Sequence, residues 1–158
     1  MSKQRTFLFL DLNAGISGNM LLAALLDLGV ETDRLQREID KLGLKGVHLE
    51  VGSMRKQSLQ ALHARVVYPA ETSHRHLNHI LKIITESDLT PSTKSRSCRI
   101  FEKLAAAEAR AHGIPIDEVH FHEVGAVDAI VDVESSVFLL EHQGVERAVA
   151  SPPRLGYG

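Results

Sequence analysis

The middle of the chain contains two segments, residues 48–54 and 59–68, in which apolar and polar residues alternate. This alternation predicts two β-strands with one apolar face each, and the polar residues 55–58 predict the turn between them. The apolar face comprises Leu49, Val51, Leu62, Ala64 and Val66. These residues would form the inner faces of the two strands.

Segments with the helical spacing of apolar residues flank the hairpin on both sides. They predict five helices, capped in two cases by Thr32 and Ser73, over residues 20–28, 32 to about 43, about 74–87, 91–112 and 126–142. Three short apolar segments predict further strands at residues 7–10, 119–124 and 145–150. This order predicts an α+β fold, a sandwich of helices on a mainly antiparallel sheet, and a ferredoxin-like topology is one arrangement that fits it.

Length and composition exclude several classes of protein. The 158 residues, 44% of them hydrophobic, suffice for one core, so we expect a single domain over residues 1–158. With 18 Lys and Arg against 20 Asp and Glu, the net charge of -2 predicts no nucleic acid partner. No apolar segment approaches the roughly 20 residues that span a bilayer, so we expect no membrane partner. The lone Cys98 and the lack of a signal-peptide pattern predict a cytoplasmic protein.

Five of the nine histidines form two clusters, and the first cluster lies at the start of a predicted helix. His76 and His79 are three residues apart and would share a face of that helix, while His74 lies at its entrance. Imidazole is a good ligand for nickel, copper, zinc and iron, so a metal site is one interpretation. Unrelated histidines at a solvated helix start are the alternative.

The second cluster consists of His120, His122 and Glu123 around Phe121. In an extended backbone His120 and His122 point to one side of the strand, and Phe121 points to the core. Two imidazoles beside a carboxylate form half of a site for a divalent metal. A structural histidine pair on an edge strand is the alternative.

A turn of small residues joins the first predicted strand to the first predicted helix. Gly15, Ser17, Gly18 and Asn19 would leave backbone N–H groups free at the helix start, where they can bind an anion such as a phosphate. A capped tight turn without a ligand explains the same residues. Asp11, at the carboxyl end of the strand, can face the same site.

Two carboxylates stand four residues apart on the last predicted helix. Asp128 and Asp132 would repel each other at this spacing unless a cation neutralises them. The favourable interaction of carboxylates with the start of a helix is the alternative, and it fits Asp128 better than Asp132.

Three motifs resemble the LarC family of nickel-insertion proteins. They are Asp11 with Ala14-Gly15-Ile16-Ser17-Gly18, then His74-Arg75-His76-Leu77, and then His120-Phe121-His122-Glu123-Val124-Gly125-Ala126-Val127-Asp128. The resemblance covers nearly the whole chain and corresponds to the N-terminal part of that family, so we expect a segment of a longer protein. One departure is Asn19, where the family usually has Asp; the amide keeps an oxygen ligand but loses the charge.

The resemblance implies a nickel chelatase (cyclometallase), a lyase of lactate racemase cofactor maturation. Nickel would be inserted into pyridinium-3,5-bisthiocarboxylic acid mononucleotide to give the nickel-pincer nucleotide. CTP, with manganese or magnesium, would be used by a C-terminal region that is absent here. That region or a separate subunit would then be a partner, and this segment alone would be inactive. A homo-oligomer is one assembly that the family's metal handling implies.

The resemblance also implies roles for individual residues. The turn residues Gly15, Ser17, Gly18 and Asn19 would bind the mononucleotide phosphate. Asp11 and Asp128 would act as metal ligands or as bases that remove the ring proton. The nickel ligands would be His74, His76, His120, His122 and Glu123.

Two other functions stay open on these residues. One is a non-catalytic module that uses the same histidines to store nickel or to deliver it. The other is a structural domain that binds a nucleotide phosphate at residues 14–19 and whose histidines bind no metal.

Overall fold

The computed structural model describes residues 6–70, 75–121 and 126–153. Within them, the strands are β1 (Thr6–Leu10), β2 (His48–Lys56), β3 (Leu59–Val67), β4 (Arg75–His76), β5 (His120–Phe121) and β6 (Val145–Ala150). The α-helices are α1 (Gly18–Asp27), α2 (Thr32–Asp40), α3 (Leu77–Glu86), α4 (Pro91–His112) and α5 (Val127–His142). Each predicted helix and strand has a counterpart, although residues 122–124 of the predicted strand 119–124 lie outside the described residues. β4 is a strand that was not predicted.

The strands of the described residues form three two-stranded sheets. β2 and β3 form the predicted antiparallel hairpin, in which His48 lies opposite Val67 and Lys56 lies opposite Leu59. β4 and β5 are also antiparallel, whereas β1 and β6 are parallel. The predicted α+β class is therefore confirmed, and two of these three sheets are antiparallel. The ferredoxin-like topology stays a prediction.

The hairpin buries the face that the alternation predicts. Ala64 and Val66 are buried, and the other three apolar positions of that face are half-buried against the core. Helix α1 packs on β3, and helix α2 packs on β2. These two helices supply the cover that a lone hairpin needs.

Helix α5 lies at the centre of the core. Ile130, Val131 and Leu139 on this helix are fully buried. It packs against α1, α2 and α4. The buried side chains of those helices include Leu22, Leu25, Leu35, Ile39 and Phe101. Because α5 begins beside β3 and α1, this packing fixes where its first carboxylate lies.

Helix α4 begins and ends where the local sequence predicts. The Thr90 side chain accepts a hydrogen bond from the backbone N–H of Thr93, and Pro91 follows as the first helical residue. Gly113 ends the helix with a φ of 67°, a conformation that glycine adopts without strain. None of the helices in the described parts of the chain is long and apolar enough to cross a bilayer.

Helix α2 begins at the predicted residue but without the predicted cap. Glu31 is the extended residue before the helix, and its side chain makes no capping hydrogen bond. Thr32 is already helical, so the prediction of Thr32 as the cap is wrong. Asp33 in the first turn complements the helix dipole instead.

Helix α3 begins later than predicted. The prediction places its start near residue 74, but Arg75 and His76 are extended and pair with β5, so the helix begins at Leu77. Helical periodicity could not reveal this, because the pairing partner lies far away in the sequence. Ser73, the predicted cap, lies outside the described residues.

Candidate functional site

One histidine of each cluster lies in the β4–β5 pair. His76 lies directly opposite His120, and their ring centroids are 4.0 Å apart. His79, on the first turn of α3, lies with its ring 5.8 Å from that of His76. Phe121 is buried and packs edge-on against Phe101, as the alternation around it predicts. Two distant segments of the chain thus place their imidazoles side by side.

The imidazoles of this pair are available to a ligand. His76 is the residue that precedes α3, yet its side chain makes no capping hydrogen bond. It is half-buried, whereas His120 is exposed. Two adjacent imidazoles of this kind can offer nitrogen ligands to a divalent transition metal.

No group of three His, Cys, Asp or Glu side chains is arranged to hold a metal ion within residues 6–70, 75–121 and 126–153. Three of the predicted ligands, His74, His122 and Glu123, lie outside those ranges. The described structure therefore contributes the His76–His120 pair. Further ligands would come from those three residues or from a bound substrate.

The predicted anion-binding turn is held by its own side chains. The Oδ1 atom of Asp11 accepts hydrogen bonds from the backbone N–H and the side-chain amide of Asn13, at 3.0 and 2.6 Å. The Ser17 hydroxyl accepts a hydrogen bond from the backbone N–H of Met20 at 3.2 Å and caps α1. Gly15 adopts a φ of 87°, which favours glycine. These contacts give Asp11, Ser17 and Gly15 a structural role.

A pocket of about 270 Å³ lies where α1, β3 and α5 meet. Its lining residues are Asn19, Arg65, Val66, Val67, Tyr68 and Asp128. The fold thus brings together two predicted site residues, Asn19 and Asp128, that are far apart in the sequence. Asp11 is not among the lining residues.

Asp132 lies under the first turn of α1, one helical turn beyond Asp128. A β-carbon at Gly18 would overlap the Oδ2 atom of Asp132, so only glycine fits there. The Oδ1 atom of Asp132 is buried and has no hydrogen-bond partner among the described residues. Burial, and then the charge of Asp128, raise the pKa of Asp132 to about 6. The predicted repulsion between the two carboxylates is therefore present.

Sequence reasoning did not select Arg65. Arg65 lies on the second predicted strand of the hairpin and Arg55 in the predicted turn, and no local pattern singles either of them out as a phosphate ligand. The place of Arg65 in the pocket depends on how β3 packs beside the starts of α1 and α5. Only the tertiary fold carries that information.

Comparison with known proteins identifies the family of this chain. Residues 8–158 match the family model described as nickel insertion protein. The chain belongs to the nickel insertion protein family. A protein of Dictyoglomus thermophilum is 44% identical over 151 residues, which cover 96% of this chain and 39% of that protein. No solved structure matches the chain.

Two further relatives carry more specific names. They are the pyridinium-3,5-bisthiocarboxylic acid mononucleotide nickel insertion proteins of Geobacillus kaustophilus and Staphylococcus epidermidis, which are 37% and 40% identical. Each alignment covers 96% of this chain but only 39% and 38% of the relative. The chain therefore spans about two fifths of the length of these relatives.

In a nickel insertion protein the metal is a substrate that arrives and departs. A closed set of four protein ligands is typical of metals that stay bound for structural reasons. A site with few protein ligands and open positions suits transfer better. The described residues place two imidazoles, those of His76 and His120, side by side.

Proposed function

We propose that this chain carries the nickel-binding side of a nickel chelatase that acts on pyridinium-3,5-bisthiocarboxylic acid mononucleotide. The product would be the nickel-pincer nucleotide cofactor. The observation that carries the proposal is the pair of imidazoles from two distant segments, His76 and His120, 4.0 Å apart. Family membership supports nickel as the metal, and the names of two relatives support the substrate.

The proposed nickel sphere combines protein and substrate atoms. His76 and His120 supply nitrogen ligands, and we assign His74, His122 and Glu123 as further ligands on their adjacency to this pair in the sequence. The two thiocarboxylate groups of the substrate supply sulfur. Because nickel accepts both imidazole and thiolate-type ligands, it can pass from the histidines to the substrate by stepwise ligand exchange.

Insertion also requires a base. A carbon–nickel bond forms at the ring carbon between the thiocarboxylates, the carbon–hydrogen bond there breaks, and its proton passes to a carboxylate. We assign this role to Asp128, which lines the pocket beside Asn19. Asp11 is the second choice, since its carboxylate already accepts two hydrogen bonds from Asn13.

Several properties of the whole protein are proposed on the family resemblance alone. They are hydrolysis of CTP with manganese or magnesium in a region beyond this chain, membership of the lyases, a place in lactate racemase maturation and a homo-oligomeric assembly. A cytoplasmic location and a single domain over residues 1–158 are proposed from the sequence pattern and the length. Gly15, Ser17, Gly18 and Asn19 are proposed to face the phosphate, with the backbone N–H groups at the start of α1 as donors.

Calorimetric titration of the purified chain with Ni²⁺ tests the proposal. We expect saturable binding by the wild type and its loss in a His76→Ala/His120→Ala variant. A His63→Ala/His112→Ala variant is the matched control, because both of these histidines are exposed and lie outside the β4–β5 pair. Asp128→Asn should leave nickel binding intact, because this carboxylate is assigned to the ring proton.

Two results would contradict the proposal. One is the absence of nickel binding by the folded wild type. The other is equal loss of binding in the double variant and in its control, which would mean that the metal attaches to surface histidines in general.

A further inference from the structure

Arg65 and Asp128 line one pocket, but their opposite charges do not pair. The Arg65 guanidinium forms no ion pair with Asp128 or with another described carboxylate, although Glu50 lies directly opposite Arg65 in the hairpin. Neighbouring opposite charges usually gain energy by pairing when nothing else holds them. Here the fold holds them on separate walls, Arg65 on β3 and Asp128 on α5. The Oδ1 atom of Asp128 accepts a hydrogen bond from the backbone N–H of Ala129 at 2.9 Å, but neither Asp128 nor Arg65 is paired with an opposite charge among the described residues.

The size and surroundings of the pocket limit what that ligand can be. Its volume of about 270 Å³ lies just below the range of typical small-molecule pockets, roughly 300 to 1,000 Å³. This favours a mononucleotide over a dinucleotide. Asn19 and Asp128 are each the second residue of a helix, so two helix starts adjoin the pocket. The start of α5 already carries the negative charge of Asp128, whereas the first turn of α1 has no acidic residue and favours a negative group of the ligand.

We propose that Arg65 binds the phosphate of a pyridinium mononucleotide, while Asp128 faces its positively charged ring. This inference rests on the proposed function and assigns an orientation to its substrate within the pocket. The ligand carries a phosphate at one end and a cationic ring at the other, and the two unpaired charges of the pocket match those ends. The ring end then lies beside the carboxylate that is assigned to receive the ring proton. Arginine suits the phosphate because its planar donors can bind two oxygens at once.

Nicotinic acid mononucleotide and its riboside, which lacks the phosphate, are the probes of this assignment. Calorimetry without metal would compare their binding to the wild type and to Arg65→Ala. We expect Arg65→Ala to weaken mononucleotide binding ~10- to 100-fold, the range for one charged hydrogen-bonding group, and to leave riboside binding unchanged. Arg55→Ala, at the other end of the same hairpin, should bind both probes as the wild type does.

Arg65→Lys keeps the charge but loses the planar fork, so its affinity for the mononucleotide should fall between those of wild type and Arg65→Ala. Circular dichroism would confirm that each variant is folded. The assignment is wrong if the wild type does not bind the mononucleotide, or if Arg65→Ala weakens both probes equally. Inorganic phosphate that binds as tightly as the mononucleotide would also overturn it. Because no nickel is present, these outcomes are independent of the histidine test.

Discussion

At the scale of single residues, Glu134 is a carboxylic acid inside the core. It is fully buried on α5, and its Oε1 atom has no hydrogen-bond partner among the described residues. Its Oε2 atom accepts a hydrogen bond from the Ser135 hydroxyl at 3.4 Å. Burial, and then the charge of Glu38, raise the pKa of Glu134 to about 8, against a smaller lowering by Ser135 and Lys41. The group is therefore mostly neutral in the folded chain at pH 7.

This pKa predicts how the stability of the fold depends on pH. Between pH 4.5 and about 8 the folded chain binds more protons at Glu134 than the unfolded chain, so stability falls as the pH rises. The slope is at most about 1.4 kcal/mol per pH unit. Glu134→Gln should remove this slope in urea unfolding measured from pH 5 to 8. The contribution of Asp132, which ends near pH 6, should remain. Equal slopes in variant and wild type would contradict the prediction.

Gly18 should tolerate no side chain. In a Gly18→Ala variant the new β-carbon meets the Asp132 carboxylate. We therefore expect the free energy of unfolding to fall by ~1–3 kcal/mol, as in other overpacked contacts. Gly52→Ala is the matched control, because a β-carbon there meets no other atom within 4 Å. Adding Asp132→Ala to Gly18→Ala should restore part of the loss, which a double-mutant cycle in urea would measure. A loss at Gly52 as large as that at Gly18 would disprove this account.

Some of these residue-scale features are predictable from the sequence, and others are not. Glu134 is four residues after Ile130 and three after Val131, so helical spacing alone places it on the buried face of α5. The contact between Gly18 and Asp132 has no such signature, because it joins two helices at a point that only their packing defines. The repulsion between Asp128 and Asp132 was predictable, since it arises within one helix.

At the scale of elements, one carboxylate joins the start of α4 to the end of α5. Glu141 accepts hydrogen bonds from the hydroxyls of Ser92 and Thr93, at 2.5 and 2.9 Å. It also forms an ion pair with Arg96 at 3.1 Å. These contacts involve the two carboxylate oxygens, so both are occupied.

Truncating this carboxylate should weaken the packing of α4 on α5. We expect Glu141→Ala to lower the free energy of unfolding by ~1–3 kcal/mol, since three polar groups lose a partner. Glu86→Ala is the comparison, because Glu86 makes only an exposed contact with Lys82 at 3.9 Å and should cost under ~0.5 kcal/mol. Thermal and urea unfolding would rank the two variants. Similar losses of stability in both variants would contradict the role of Glu141 in joining α4 to α5.

Elements differ in how well their sequence predicts them. The hairpin follows from alternation, since its partners are adjacent in the chain and its register is set by the turn. β4 was missed, because two residues carry no periodicity and their pairing partner, β5, lies beyond α3, α4 and a short 3-10 helix (Ile116–Glu118). The meeting of His76 with His120 depends on that same pairing.

At the scale of the whole molecule, the parallel β1–β6 sheet leaves an apolar face uncovered in the described structure. Phe7 and Phe9 are 63% and 66% exposed, and Val149 lies opposite Phe9 and is 45% exposed. Their neighbour Leu8 points the other way and packs on the core. Parallel sheets are usually covered on both faces, so this surface is unusual for a folded chain in water.

This face predicts self-association that grows with concentration. Replacing both phenylalanines in a Phe7→Thr/Phe9→Thr variant keeps good strand formers but removes most of the exposed apolar area, so the chain should stay monomeric to higher concentration. Leu59→Thr is the control, since Leu59 is 77% exposed but isolated at the hairpin turn. Sedimentation velocity across a concentration series would compare the three chains. The prediction fails if the double variant associates as the wild type does.

The β1–β6 pairing also affects folding during synthesis, because its two strands lie far apart in the sequence. The backbone N–H of Leu12 donates to the Ser151 hydroxyl, a contact that joins residues 139 positions apart. At ribosomal speeds of about 5–20 residues per second, the end of β1 waits on the order of 10 s before that partner has been made. Throughout that interval Phe7 and Phe9 belong to an unpaired strand. β1 is thus made long before β6 completes its sheet, and the nascent chain is most exposed to chaperones and to misassembly during that delay.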